Sequence, residues 1–168
     1  MLIDAIRARN IPEIQRLLAE NPAVIHKTST GGHGPLDTLF LNKGSKCAIY
    51  EKSDELNTQL KIYAILYKAY RDNGGILKQH PAEEATAKCG LDRLPQYSIT
   101  LGNINHLVES ELRGEIKPED ASTYKTLITT LNLHSIVPKV TGLLNQSGGR
   151  RRKTHRKATK SRKTRRHF

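Results

Sequence analysis

One segment of this chain, Ser53–Arg71, constrains its fold more than any other. Leu56, Leu60, Tyr63, Tyr67 and Tyr70 follow a 4-3-4-3 spacing, the signature of a single helix face. Ile62, Ile65, Leu66 and Ala69 widen that face to more than half the circumference. A helix this apolar must be covered by neighbours on at least two sides. Ser53 suits the N-cap, and Asp54 and Glu55 complement the positive helix end. Asn73-Gly74-Gly75 supplies the stop.

The flanking sequence also reads as helices, broken by Gly, Pro and Asn. Leu2, Ile3, Ala5 and Ile6 begin a short helix that stops at Arg9-Asn10. Pro12 opens a second, with Ile14, Leu17 and Leu18 at i, i+3, i+4, and Asn21-Pro22 ends it. Together they form an αα-hairpin. Residues 26–34 are polar and Gly-rich, which predicts an exposed loop or hairpin. A third short helix starts at Pro35 and carries Leu36, Leu39, Phe40 and Leu41.

A short helix over Pro81–Cys89 is the weakest element of this reading, and residues 76–93 otherwise carry no clear pattern. Helical patterns return at Leu94–Leu101 and Ile104–Leu112, and Gly102-Asn103 is expected to split them. Pro118-Glu119-Asp120 starts another helix through Tyr124, Leu127, Ile128 and Leu131. A last helix carries Ile136, Val137, Val140, Leu143 and Leu144, with Pro138 in its first turn. No segment reads as a strand, so the expected class is all-α.

The chain's charge lies elsewhere. It holds 28 basic and 16 acidic residues, for a net +12. Eleven of the basic ones are Arg150, Arg151, Arg152, Lys153, Arg156, Lys157, Lys160, Arg162, Lys163, Arg165 and Arg166. Residues 1–149 keep 17 basic against the same 16 acidic. The expected organisation is a near-neutral helical domain over 1–147 and a polybasic tail over 148–168, joined at Ser147-Gly148-Gly149. With almost no apolar residue to bury, the tail is predicted to be disordered alone.

Phosphates would supply the tail with partners. Roughly 6–10 contacts to DNA phosphates imply a log–log salt slope of about −5 to −9. Arg outnumbers Lys, which suits bidentate phosphate contacts. No base-reading element accompanies it, so nucleic-acid binding through these eleven residues should be sequence-independent. A nuclear address read by an import receptor, or an anionic lipid or acidic protein partner, is also compatible with such a run. Thr154, Thr159, Ser161 and Thr164 lie within it, where phosphorylation would subtract charge.

Three helix pairs share a punctuation mark. Asn10-Ile11 precedes Ile14, Asn103-Ile104 precedes Leu107, and Asn132-Leu133 precedes Ile136. The Asn-to-Asn offsets of 93 and 29 approach three and one units of about 31–33 residues. The sequence Gly32-His33-Gly34-Pro35-Leu36-Asp37-Thr38-Leu39 stands where the ankyrin repeat has G-x-T-P-L-H-x-A, with Gly32, Pro35 and Leu36 matching. Gly34, Asp37 and Leu39 depart from the motif. Tyr63–Leu77 resembles that family's second helix and its Gly-containing turn.

The chain thus resembles a divergent ankyrin-repeat protein, over about two-thirds of residues 1–147. The resemblance implies a solenoid of degenerate helical hairpins that binds a protein partner through hairpin tips and first helices. Here that points to His33, Asp37, Thr38, Leu41 and Asn42. The basic tail resembles in composition the Lys/Arg/Thr tails on proteins of large nucleocytoplasmic DNA viruses. The expected function is a non-enzymatic interaction scaffold, tethered to nucleic acid or directed to the nucleus by its tail. The alternative makes the tail primary, in a nucleic-acid-condensing or virion packaging protein.

Several chemistries lack their residues. Gly31-Gly32-His33-Gly34 has no Lys-Ser/Thr after it, unlike a P-loop. The histidines show no metal-ligand spacing, and no nucleophile motif surrounds Ser29, Asp37 and His33. Glu83-Glu84 and Glu109, Glu111 and Glu115 read as solvated helix faces. Cys47 and Cys89 read as ordinary thiols in a reducing compartment. No catalytic residue, metal or cofactor is expected. No stretch approaches the roughly 20 apolar residues of a membrane span. The charged N-terminal segment lacks the layout of a secretory signal, so Asn145-Gln146-Ser147 is expected to stay unglycosylated. An intracellular site follows: host cytoplasm, nucleus or nucleolus, or a virion. The partner's identity and the oligomeric state stay open.

Overall fold

The computed structural model describes residues 1–40, 53–76 and 95–148. Among these the chain is helical, without a strand. Seven α-helices occur there: α1 (Leu2–Arg7), α2 (Ile11–Glu20), α3 (Pro35–Phe40), α4 (Ser53–Asp72), α5 (Pro95–Arg113), α6 (Ala121–Leu131) and α7 (Pro138–Gly148). Short 3-10 turns at Pro22–His26 and Pro118–Asp120 lead out of α2 and into α6.

Local signals account for the first hairpin. Asn10 caps α2 by accepting the Glu13 N–H on its side-chain oxygen at 3.1 Å, and Pro12 sits in the first turn. Glu13 also pairs with Arg16, one turn on. The chain reverses between α1 and α2 through Arg9, whose φ of 55° lies in the left-handed region.

α4 is the centre of the molecule. Ile62, Tyr63, Ala64, Ile65, Leu66 and Tyr67 are six consecutive buried residues, which no helix with a solvent face could provide. Its neighbours are α2 and the Pro22–His26 turn, α3, α5 and α6. Each such Leu or Ile stabilises the fold by about 1.5–3 kcal/mol through burial. The core continues without a gap from Leu2 and Ile6 in α1 to Val137 and Val140 beside and within α7.

α1 lies against α2 and α3, and α3 against α4. Along the other side α2 touches α4, α4 touches α5, and α5 touches α7, with α6 set against α4, α5 and α7.

Two expectations change. Gly102-Asn103 does not break a helix, because α5 runs unbroken from Pro95 to Arg113. Leu101, Ile104, Leu107 and Val108 are all fully buried on one stripe. Keeping that stripe in register outweighs the cost of about 1 kcal/mol for a helical glycine. The three asparagines are therefore not equivalent. Asn10 is an N-cap, Asn103 lies inside a helix, and Asn132 ends α6 in the left-handed conformation at φ 51°. The segment Pro81–Cys89, both cysteines and the whole basic tail from Arg150 lie outside the described residues.

Candidate functional site

The expected partner surface centres on the loop before α3. Two backbone bonds close it: Ser29 N–H to the His33 carbonyl at 2.8 Å, and Gly32 N–H to the Ser29 carbonyl at 2.9 Å. Gly32 has φ 78°, a conformation open to glycine at little cost. Asp37, in the first turn of α3, accepts the Gly34 N–H on its carboxylate at 3.1 Å, the reciprocal half of a capping box. This bond fixes how the loop enters the helix.

A cavity of about 260 Å³ opens beside this loop, with Leu36, Asp37, Ile25 and Tyr70 in its wall. Tyr70 stands 5.3 Å from the His26 ring, centroid to centroid, and tilted to it. His26 Nε2 bonds the Asn73 carbonyl at 3.0 Å, which ties the loop's base to the end of α4. Gly75 is required here: a Cβ would lie 2.3 Å from the Tyr70 ring.

His33 and Asp37 are exposed at the loop and the start of α3. Thr38 differs: it is 7% exposed, and its hydroxyl has no hydrogen-bond partner among the described residues. It lies one position on from Asp37, where the helix turns inward beside Leu39. Its side chain therefore contributes no exposed contact. Leu41 and Asn42 lie outside the described residues, as do all eleven basic residues of the tail.

A second polar cluster, absent from the expected site, runs along the α4–α5 seam. Tyr63 donates to the Asn105 side-chain oxygen, and Tyr67 to Glu109 Oε1 at 2.9 Å. Arg71 grips both oxygens of Glu109, at 2.6 and 3.2 Å, and also donates to the Gly75 carbonyl at 2.7 Å. Residues 63, 67 and 71 face 105 and 109 at i, i+4 spacing on both helices, so the two rows engage like a ladder.

The electrostatics of this ladder are those of a structural clamp. The Arg71 guanidinium holds the Glu109 carboxyl below its usual range, with a further contribution from the Tyr67 hydroxyl. Burial pushes the Tyr67 phenol up to about 12, assisted by its bond to Glu109. Burial drives Tyr63 upward as well. Every group is thus held in its ordinary charge state at neutral pH, the opposite of a poised acid or base.

The expected solvated acidic face also divides. Glu115 is exposed, Glu109 is half-buried and paired, and Glu111 is only 3% exposed. The Glu111 carboxylate accepts the N–H groups of Lys139 and Val140 at the start of α7. A signal existed: Glu111 continues the buried row Leu101, Ile104, Val108, where a carboxylate needs a dedicated partner.

No group of His, Cys, Asp or Glu among the described residues could hold a metal ion. No described helix is long and apolar enough to cross a membrane. No protein-family model matches the chain, and neither does any curated protein or solved structure.

Proposed function

We propose that this chain is a non-enzymatic, ankyrin-like interaction scaffold whose basic tail carries it to nucleic acid. The observation behind this reading is the packing order. Helices α2, α4, α5 and α7 touch in series and α1 lies against α3, which supports a stack of helical hairpins, while α6 also reaches back to α4. The central α4 is covered on more than one side over residues 62–67, and a helix in the middle of such a stack must be covered by the pair before and the pair after it.

The protein partner meets the loop tip and the start of the first helix in the second pair. His33 and Asp37 supply polar contacts there, and the ankyrin resemblance adds Leu41 and Asn42, which lie outside the described residues. The bond between Asp37 and Gly34 keeps this surface ordered before binding, which lowers the entropic cost of association. The eleven tail residues contact phosphates without reading bases.

Truncation after Gly149 tests both halves. Capture of a partner by residues 1–149, with loss of DNA binding, supports the scaffold. A truncated body that captures nothing, beside an isolated tail that reproduces the whole chain's binding, overturns it. That second outcome makes the chain a condensing or packaging protein, a reading favoured by the concentration of eleven positive charges in its last nineteen residues.

A further inference from the structure

All 16 acidic residues of the chain precede Ala121. From Ala121 to the end there are thirteen basic residues and no carboxylate side chain, and two of the thirteen, Lys125 and Lys139, belong to the folded helices α6 and α7. The charge asymmetry therefore begins within the last helix pair, some 30 residues before the tail.

Between α6 and α7 runs an open groove of about 510 Å³. On α6, Ser122, Lys125 and Thr129 recur at i, i+3, i+7 and form one exposed row along it. His134 stands exposed at its end, and Asn145 faces the row from α7. No carboxylate lines this groove. The nearest acid in sequence, Asp120, has its carboxylate engaged by the Tyr124 hydroxyl at 3.5 Å.

We infer that the α6–α7 groove, formed by the helix pair that immediately precedes the tail in the sequence, is a docking site for the phosphodiester backbone of nucleic acid. This rests on the reading of the tail given above and extends the same binding site into the folded body. A row of hydroxyl, amide and cationic donors without a carboxylate is the donor set that phosphate oxygens use. Two large apolar side chains, Ile128 and Leu144, lie among the lining residues. Ile128 is almost fully buried, and Leu144 is half-buried. An amphipathic helix would need several apolar anchors in such a groove. Continuity argues the same way: α7, which supplies Asn145, is also the helix from which the chain continues into Arg150–Arg166.

The test uses the full-length chain and a fluorescent 20-base-pair DNA duplex, titrated over a range of salt. Lys125→Ala should weaken binding about threefold to tenfold and reduce the log–log salt slope by about 1. Thr129→Lys should tighten binding and steepen the slope by about 1, an effect that misfolding cannot mimic. The inference is overturned if both variants match the parent in affinity and slope. It is equally overturned if Lys125→Ala weakens capture of poly-glutamate and leaves the duplex untouched, which would mark an acidic-protein site. A chain with all eleven tail residues changed to Gln tests the tail separately. Parental binding by that chain would remove the tail reading, while Lys125→Ala and Thr129→Lys still decide the groove.

Discussion

Glu111, near the end of α5, accepts the backbone N–H of Val140 at 2.8 Å, and so one helix caps another that begins 27 residues later in the chain. Its second oxygen takes the Lys139 N–H at 3.1 Å. The first turn of a helix leaves N–H groups unpaired, and a side chain normally caps them from the residue just before. Here Pro138 opens the helix, and the cap arrives from a packed neighbour instead.

Removing this carboxylate leaves two N–H groups at a buried site. Glu111→Ala should cost about 2 kcal/mol, within the range for orphaned buried donors. Glu111→Gln keeps one acceptor oxygen and should cost about half as much. Urea unfolding of the full chain, read by circular dichroism, checks the order: Ala below Gln below parent in midpoint, with unchanged slope. Equal midpoints for all three would mean that the cap contributes nothing.

The Arg71–Glu109 pair makes stability depend on acid in a defined direction. The folded state lowers the Glu109 pKa, chiefly through its hydrogen bond to Arg71. The stabilisation is therefore present above the ordinary value of 4.5 and is lost as pH falls below it through the folded value. Other carboxylates titrate nearby, so the informative quantity is a difference. The stability gap between the parent and Glu109→Gln should be widest near pH 6 and close as the pH drops below 4.5. A gap that stays constant with pH would refute the assignment.

Tyr67 gives the mirror image at high pH. Burial raises its pKa from 10.0 to about 12, so the folded state retains a proton that the unfolded chain releases. Stability should fall between pH 10 and 12 as a result. Tyr67→Phe removes this dependence, and it should show less alkaline destabilisation than the parent when both are titrated by tyrosinate absorbance. The same substitution removes one of the three bonds on Glu109 and should lower stability at neutral pH by about 1 kcal/mol.

Gly75 controls the expected partner surface from beneath. An added Cβ would approach three Tyr70 ring atoms at 2.3 to 2.5 Å, so Gly75→Ala must displace that ring. Tyr70 also contacts His26 and lines the cavity beside Asp37. The variant should lose about 1–3 kcal/mol of stability, as overpacking does, and shift the His26 ring resonances in an NMR spectrum. Unmoved His26 resonances would show that the ring contact does not persist in solution.

What the sequence announced and what it concealed follow from how far each signal reaches. α4 was legible because nine apolar residues repeat within one helix. The α1–α2 hairpin was legible because Asn10, Pro12 and Glu13 act within four residues. The continuity of α5 was hidden, since Gly102-Asn103 is a local stop that a long-range core contact overrides. The burial of Glu111 was legible from its place on the row Leu101, Ile104, Val108, but its partners were hidden, since they lie 28 and 29 residues away, beyond any helical period. The burial of Thr38 depends on helix orientation rather than spacing. The acid-free run beyond Ala121 was present in the composition, and the groove between α6 and α7 gives it a shape.

The turn between α1 and α2 offers a final test, in which strain and contact pull in opposite directions. Arg9 holds φ 55°, where a side chain costs about 1 kcal/mol relative to glycine. It also reaches α4, with its guanidinium 3.5 Å from the Gln59 side-chain oxygen and 3.9 Å from the Glu55 carboxylate. Arg9→Ala keeps the strain and loses the reach, so it should destabilise by about 1 kcal/mol. Arg9→Gly loses the reach and relieves the strain, and the two nearly cancel. Glycine should therefore match the parent in urea midpoint while alanine falls below both. If glycine falls as far as alanine, the contacts to α4 dominate, and the left-handed turn is not the source of the difference.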